Sequence, residues 1–182
     1  MNIGMKPDIF TFIDLEMNQP SGKIIQLGAV VGNIRTGEIL ERLSVFVNPN
    51  EQLNPFIIDL TGISQEQVDS GVTLKEMYDS LYTLHKKHGS FRNFGQWGGG
   101  DSKCIKDALG MDDESFVGGR RELDVKTIFI GWRLSQGEKI QSGLAKSLIK
   151  LGLAFEGKKH NALSDAENTF RIFMALLGKY KA

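Results

Sequence analysis

The fold of this chain is indicated most clearly by the apolar run Ile9-Phe10-Thr11-Phe12-Ile13-Asp14-Leu15-Glu16. A run of this composition is typical of a covered, central β-strand. Because side chains i and i+2 of a strand point to the same face, Asp14 and Glu16 place two carboxylates side by side. Burying like charges together is costly unless a cation neutralises them. A surface strand with two solvated acids is the alternative, which the flanking apolar residues disfavour.

Two further acids and a histidine extend this set. Asp101 follows the triplet Gly98-Gly99-Gly100, and Asp165 lies in the first turn of a predicted C-terminal helix. His160 lies in the loop before that helix, where an imidazole can take a proton near neutral pH. Each also has an ordinary structural interpretation. Asp101 could lie in a surface loop, Asp165 could be a favourable charge near a helix N-terminus, and His160 could be an exposed polar residue. Together, the carboxylates predict an all-oxygen site for Mg²⁺ or Mn²⁺.

Length and composition favour one globular domain, which we expect to span residues 1–182. Lys plus Arg equal Asp plus Glu at 22 each, so any nucleic-acid contact requires a local basic patch. The single cysteine, Cys104, rules out an internal disulfide, thiolate zinc sites and iron–sulfur clusters. A single cysteine is typical of a protein from a reducing compartment. The N-terminus has no signal-like apolar core, and no apolar run approaches membrane-spanning length. We therefore expect a cytoplasmic protein without membrane contact. A cytosolic viral or mobile-element product would have the same properties.

The element pattern predicts a mixed α/β sheet flanked by helices. We expect an antiparallel meander of strands at Ile9–Glu16, Lys23–Val31 and Ile39–Val47, with the first strand central, followed by a short strand at Ser90–Phe94. Asn48-Pro49-Asn50 and Asn54-Pro55 predict loops. Helices are expected at Leu74–Lys87, Val125–Leu134 and Leu144–Leu151.

Capping boxes are predicted where Ser64, Thr73 and Ser164 begin Ser/Thr-x-x-Glu/Gln patterns. The last of these would open the C-terminal helix. The buried stripe of that helix is predicted to contain Ala166, Phe170, Phe173 and Leu177.

Several other residues are candidates for substrate contact. Trp97 could stack on a base or pack in the core, and Lys158 and Lys159 could contact a phosphate or form a solvated charge pair. The pairs Arg120-Arg121 and Lys86-Lys87 are weaker candidates. His85 and His88 are expected to be solvated.

The ordered set Asp14-x-Glu16, Asp101 and His160-x4-Asp165 resembles the three motifs of the DEDDh-type 3′–5′ exonucleases. The resemblance covers about Asp8 to Leu177. It implies a ribonuclease H-like fold. Trp97-Gly98-x-x-Asp101 is more similar to the exoribonucleases related to RNA-interference regulators than to polymerase proofreading subunits. Two positions depart from the pattern: Met17-Asn18 replaces small hydroxyl residues, and Gly100 replaces an aromatic residue.

Carried over to this sequence, the resemblance implies that Asp14, Glu16, Asp101 and Asp165 bind two divalent cations. His160 would be the general base. Two metals about 3.5–4 Å apart can stabilise both the attacking and the leaving oxygen of an in-line displacement. Met17, Trp97 and Lys159 are the candidate substrate-binding residues. The expected activity is hydrolysis of single-stranded RNA or DNA from its 3′ end to nucleoside 5′-monophosphates.

Two alternative functions remain open from the sequence. An endonuclease could use the same carboxylates. A catalytically silent nucleic-acid-binding module is disfavoured because all five residues are present.

Overall fold

The computed structural model describes residues 6–139 and 143–178. Five strands form one mixed sheet in the order β3-β2-β1-β4-β5. β1 pairs antiparallel with β2 and β2 antiparallel with β3, whereas β4 runs parallel to both β1 and β5. The strands are β1 Ile9–Met17, β2 Ile24–Asn33, β3 Ile39–Phe46, β4 Gly95–Gln96 and β5 Leu123–Asp124.

Helices cover both faces of this sheet. Those among the described residues are α1 Pro55–Thr61, α2 Gln65–Asp69, α3 Leu74–His88, α4 Asp101–Leu109, α5 Val125–Ser135, α6 Leu144–Lys150 and α7 Ala162–Leu176. Within the described ranges, no helix is both long and apolar enough to cross a membrane.

The alternation of β1 divides the core into two layers. Ile13 and Leu15 pack with residues of α3 and α4 on one face. Phe12 packs on the other face against Phe170 and Phe173 of α7, with ring centroids 5.2 and 5.6 Å away. Asp14 and Glu16 share the strand parity of Phe12, so they continue the face that α7 covers.

The predicted mixed sheet flanked by helices, with β1 at its centre, is confirmed. The capping boxes at Ser64 and Thr73 are also confirmed, since each hydroxyl accepts from the N3 backbone and each N3 side chain accepts from the cap. The glycine triplet leads into a helix that starts at Asp101, as predicted.

Four predictions of local structure are wrong. The short strand lies at Gly95–Gln96 rather than Ser90–Phe94, because pairing with β1 occurs at Gly95. Asn54-Pro55 begins a helix, since Asn54 accepts from the Phe56 N–H and proline is tolerated in the first turn. Asn161, not Ser164, caps the C-terminal helix. That helix ends at Leu176, and Leu177 is exposed.

The solvated environment predicted for His85 is also wrong. Its ring is buried, with Nδ1 3.0 Å from Thr11 Oγ1 and the Phe94 ring against its edge. Burial disfavours the charged imidazolium and lowers the pKa of His85 to about 4.

The N-terminus of α7 meets β2 at unusually close range. A Cβ atom placed on Gly28 would lie 2.1 Å from the backbone carbon of Ala162, so only glycine allows this contact. Two residues along β2, the buried Gln26 accepts a hydrogen bond from the Ala162 N–H at 3.1 Å and donates to Ser44 at 3.1 Å. These contacts fix the start of α7 beside the acidic end of β1, because Asp14 pairs with Gly28 and Glu16 with Gln26.

We expect Gly28→Ala to lower the free energy of unfolding by about 1–3 kcal/mol, because the new methyl group must displace the backbone of α7. Urea denaturation followed by circular dichroism measures this. The matched control is Gly131→Ala, which adds a methyl group to α5 where no atom lies within 4 Å. The control should be neutral or slightly stabilising. Equal stabilities of the two variants would contradict the close approach at Gly28.

Candidate active site

The end of β1 presents two carboxylates toward the N-terminus of α7. The pairing register of β1 with β2 shifts between Glu16 and Met17. Irregularities of this kind bend a strand and redirect its side chains. Asp14 and Glu16 are both partly buried, so their charges are only partly screened by water.

The glycine triplet brings Asp101 to the same region. Gly98, Gly99 and Gly100 all have positive φ angles, of 95°, 73° and 110°, which other residues adopt at a cost. Two acidic side chains hold this loop: Asp124 accepts from the Gly98 N–H at 3.0 Å and Glu122 from the Gly100 N–H at 3.2 Å. The loop therefore depends on the segment around β5 as well as on its glycines.

Three of the predicted residues meet at one point. One oxygen from Glu16, one from Asp165 and one imidazole nitrogen of His160 all lie within 4.8 Å of one another. Glu16 and Asp165 are partly buried, whereas His160 is exposed. An exposed imidazole beside shielded carboxylates can exchange protons with solvent while it faces the acidic group.

The loop before α7 positions His160. Buried Arg171 donates to the Ala154 carbonyl at 2.8 Å and forms an ion pair with Glu156 at 2.8 Å. Asn168 donates to the Glu156 carbonyl at 2.8 Å and accepts from the Glu156 N–H at 3.2 Å. His160 itself has φ +58°, a conformation that costs a non-glycine residue of the order of 1–3 kcal/mol. Its backbone N–H donates to the Asp165 carboxylate.

The electrostatics of the carboxylates are strongly perturbed. Burial raises the pKa of Asp14 well above its ordinary value, and the charges of Asp101, Asp165 and Glu16 raise it further. Burial, together with the charges of Asp165 and Asp101, raises the pKa of Glu16 to about 7. The pKa of Asp101 rises to about 7 through burial and the charge of Glu122. Burial raises the pKa of Asp165 to about 6, opposed by the hydrogen bond from His160.

The chemistry of this group fits divalent cations. The carboxylates repel one another, and the Asp165 Oδ1 atom is buried without a hydrogen-bond partner among the described residues. A buried, unpaired carboxylate oxygen is rare unless an ion or a water satisfies it. Glu16, Asp165 and His160 form a group that could hold a metal. Asp14 and Asp101 add oxygen donors of the type that hard cations prefer.

The three candidate substrate-binding residues differ in whether they line a cavity together with the site residues. Lys159 lines a cavity of about 440 Å³ together with His160 and Asp165. Trp97 follows β4 and packs against Phe129, with ring centroids 6.0 Å apart. Met17, at the end of β1, packs on the core layer of Ile13 and Leu15. Of the three, Lys159 is therefore the one that lines the same cavity as His160.

Asn18 is part of the Met17-Asn18 pair that departs from the DEDDh exonuclease pattern, and the structure explains its presence. This buried side chain donates to Glu51 at 2.7 Å and to the Gln52 carbonyl at 3.0 Å, and it accepts from the Asn54 N–H at 2.8 Å. These bonds tie the end of β1 to the segment before α1. Asn18 therefore supports the strand that carries the acids.

Sequence reasoning missed two polar residues that shape the site. Gln26 positions the start of α7, and its signal in the sequence was a polar residue within a largely apolar predicted strand. Glu122 accepts a hydrogen bond from the Gly100 N–H, and its charge raises the pKa of Asp101. No spacing in the sequence connects Glu122 to the other acids.

Comparison with known proteins supplies the family. Residues 11–91 match the family RNase_T, described as exonuclease. The 3′-5′ exonuclease Snipper of Drosophila melanogaster is 28% identical over 170 residues, which cover 80% of this chain and 58% of that protein. ERI1 exoribonuclease 2 of Mus musculus is 30% identical over 172 residues, covering 82% of this chain and 24% of that protein. The chain thus spans between about a quarter and three fifths of the length of these relatives.

The fold has close counterparts among solved structures. The nuclease domain of 3′hExo, a DEDDh family member whose structure was solved bound to rAMP, superimposes with a TM-score of 0.81 and 22% identity, covering 98% of both chains. Residues 11–91 thus match the exonuclease family, and the chain has the ribonuclease H-like fold of the 3′hExo nuclease domain. The sequence-based resemblance to the exoribonuclease branch is confirmed.

The raised pKa values predict how stability changes with pH when divalent cations are removed. Glu16 holds its proton in the folded state up to about pH 7, whereas its ordinary pKa is 4.5. Between these values the folded state binds more protons than the unfolded chain, so stability falls as pH rises. We expect Glu16→Gln to remove roughly 2 kcal/mol of that fall, measured by urea denaturation in EDTA at pH 5 and pH 7.5.

The matched control for this experiment is Glu38→Gln. Glu38 is exposed in the turn between β2 and β3, at the other end of β1 from the acids. Its variant should keep the wild-type pH dependence. If Glu16→Gln showed the same slope as the wild type, the raised pKa of Glu16 in its buried, acidic surroundings would be contradicted.

Proposed function

We propose that this chain is a metal-dependent 3′–5′ exonuclease that removes nucleoside 5′-monophosphates from single-stranded RNA or DNA. The observation that carries the proposal is the meeting of Glu16, Asp165 and exposed His160, with Asp14 and Asp101 adding repelling charge. The relatives named as 3′-5′ exonuclease and exoribonuclease support the direction of attack. In this proposal, residues 1–182 form one exonuclease domain.

Asp14, Glu16, Asp101 and Asp165 would hold the cations, Mg²⁺ or Mn²⁺ and two in number. When bound, such ions supply positive charge to the reacting phosphate and its two flanking oxygens. Four carboxylates that repel one another in a partly buried site make this charge necessary for substrate to approach.

His160 is the proposed general base. A water oxygen attacks the terminal phosphorus, its proton passes to the neutral imidazole, and the bond from phosphorus to the 3′ oxygen breaks. The departing 3′ oxygen takes up a proton from solvent water and becomes the new 3′ hydroxyl, and the imidazolium of His160 returns its proton to solvent. The loop bonds from Arg171 and Asn168 hold the backbone that carries this imidazole, so they act as positioning contacts.

Lys159 is the proposed phosphate contact within the substrate cavity, because it lines the same space as His160. Trp97 and Met17 are the proposed contacts for the terminal nucleoside. The half-buried indole of Trp97 packs against Phe129, which would hold it in a fixed orientation for stacking.

Asp14→Asn should reduce the rate by more than about 100-fold, because loss of a direct ligand exceeds the effect typical of its supporting residues. The assay follows a 5′-labelled 20-nucleotide strand with Mg²⁺ or Mn²⁺ by gel electrophoresis. We expect stepwise shortening from the 3′ end by the wild type and by the Glu38→Gln control. RNA and DNA strands in parallel determine the sugar preference. Undiminished activity of Asp14→Asn, or cleavage of a circular single strand, would contradict the proposal.

His160→Asn should lower the rate by about 10²–10⁴-fold, because the amide cannot accept the proton. Asparagine tolerates a positive φ better than most residues, so the loop should keep its conformation. The thermal shift on adding Mn²⁺ is the folding and metal-binding control, and we expect most of it to remain. An undiminished rate with the Mn²⁺ shift retained would show that His160 is not the base.

A further inference from the structure

The arginines of the chain fall into two groups. Arg35, Arg42, Arg133 and Arg171 each form an ion pair with a carboxylate. Within the described ranges, Arg92, Arg120 and Arg121 form no ion pair, and all three are exposed.

These three unpaired arginines line a single groove of about 560 Å³. The other lining residues are Asn93, Asp113 and Glu114. Asp113 is already paired with Lys106 at 2.6 Å, which leaves Glu114 as the remaining acid. We call this surface the arginine groove. Its three positive charges outnumber the one acid that no lysine pairs, an arrangement that attracts a polyanion.

The arginine groove lies at the opposite end of the parallel strands from the carboxylates. Arg92 precedes β4 and Arg120 and Arg121 precede β5, so these residues lie at the N-terminal ends of both strands. Asp101 and the acids of β1 lie at or beyond the C-terminal ends. The groove is therefore separate from the catalytic cavity around His160.

We propose that the arginine groove binds phosphates of the nucleic-acid substrate upstream of its 3′ end. This inference rests on the proposed function, because it assumes a nucleic-acid substrate. The chain has a formal net charge of zero, and its catalytic end concentrates acids, so neither attracts a polyanion over distance. Arginine recognises phosphate through paired N–H donors, and clustered exposed arginines suit the closely spaced charges of a nucleic-acid backbone.

The position of the groove sets a length requirement. Arg92 and Asp101 are nine residues apart, so their backbones lie at most about 30 Å apart. A stacked strand rises about 3.4 Å per nucleotide, so at most roughly nine nucleotides are needed to bridge the two. A dinucleotide carries only the scissile phosphate and has no upstream phosphate for the groove to bind, whereas a 20-nucleotide strand has many.

The test uses Arg120→Gln/Arg121→Gln in the full chain. Arg92 is kept because it lines a second cavity beside buried Phe116. The matched control is Lys75→Gln/Lys87→Gln, which removes the same charge from exposed lysines that already pair with Asp79 and Glu41. Thermal melting verifies that both variants remain folded.

Two readouts are compared. With the 20-nucleotide strand, the groove variant should raise KM about 10-fold, while kcat/KM for a dinucleotide stays unchanged. Fluorescence anisotropy in the Asp14→Asn background should show about 10-fold weaker binding of the 20-mer and a salt slope smaller by about 1.4, or 0.7 for each lost phosphate contact. The lysine control should change neither readout.

Three outcomes would overturn the inference. The first is unchanged binding and unchanged KM of the 20-mer in the groove variant. The second is an equal loss for the dinucleotide. The third is binding of poly-glutamate as tight as that of the oligonucleotide and equally dependent on Arg120 and Arg121, which would assign the groove to an acidic protein. If the wild type degraded no strand, the proposed function would fail, while the anisotropy measurement would still decide whether the groove binds nucleic acid.

Discussion

The mutual repulsion of four partly buried carboxylates is the constraint on which the rest of this structure depends. Asp14, Glu16, Asp101 and Asp165 come from a central strand, a glycine loop and a helix start, and each has a raised pKa because burial disfavours its charge. Without cations this arrangement costs stability. It persists because apolar packing on both faces of β1 holds the elements together regardless of the charge.

The close contact at Gly28 fixes the position of the packed helix α7 relative to the acids of β1. The rings of Phe12 and Phe170 bury the body of α7 against the sheet, and the missing side chain at Gly28 lets the helix start approach within a distance that no Cβ would permit. Gln26 then satisfies the Ala162 N–H. Core packing and the carboxylate site are therefore coupled through a single helix, so a defect at its N-terminus affects both.

Charge is distributed unevenly over the two ends of the parallel strands. Acids collect at the C-terminal end, where the proposed chemistry takes place, and unpaired arginines collect at the N-terminal end. A chain of zero net charge can thus carry two local fields of opposite sign. The first concentrates cations, and the second provides the attraction for a polyanion that the first lacks.

The sequence by itself determined the central strand, the mixed sheet, the resemblance to the DEDDh-type exonucleases and the set of acidic residues, because strand alternation and short motifs are local properties of the chain. Only the tertiary structure showed that Glu16, Asp165 and His160 meet, that His85 is buried, and that Glu122 adjoins Asp101. It also showed that the fourth strand lies at Gly95–Gln96 and that Asn161 caps the last helix. Pairing with β1 and docking on Gly28 decide these features, and both involve residues distant in sequence, whose proximity no local pattern encodes.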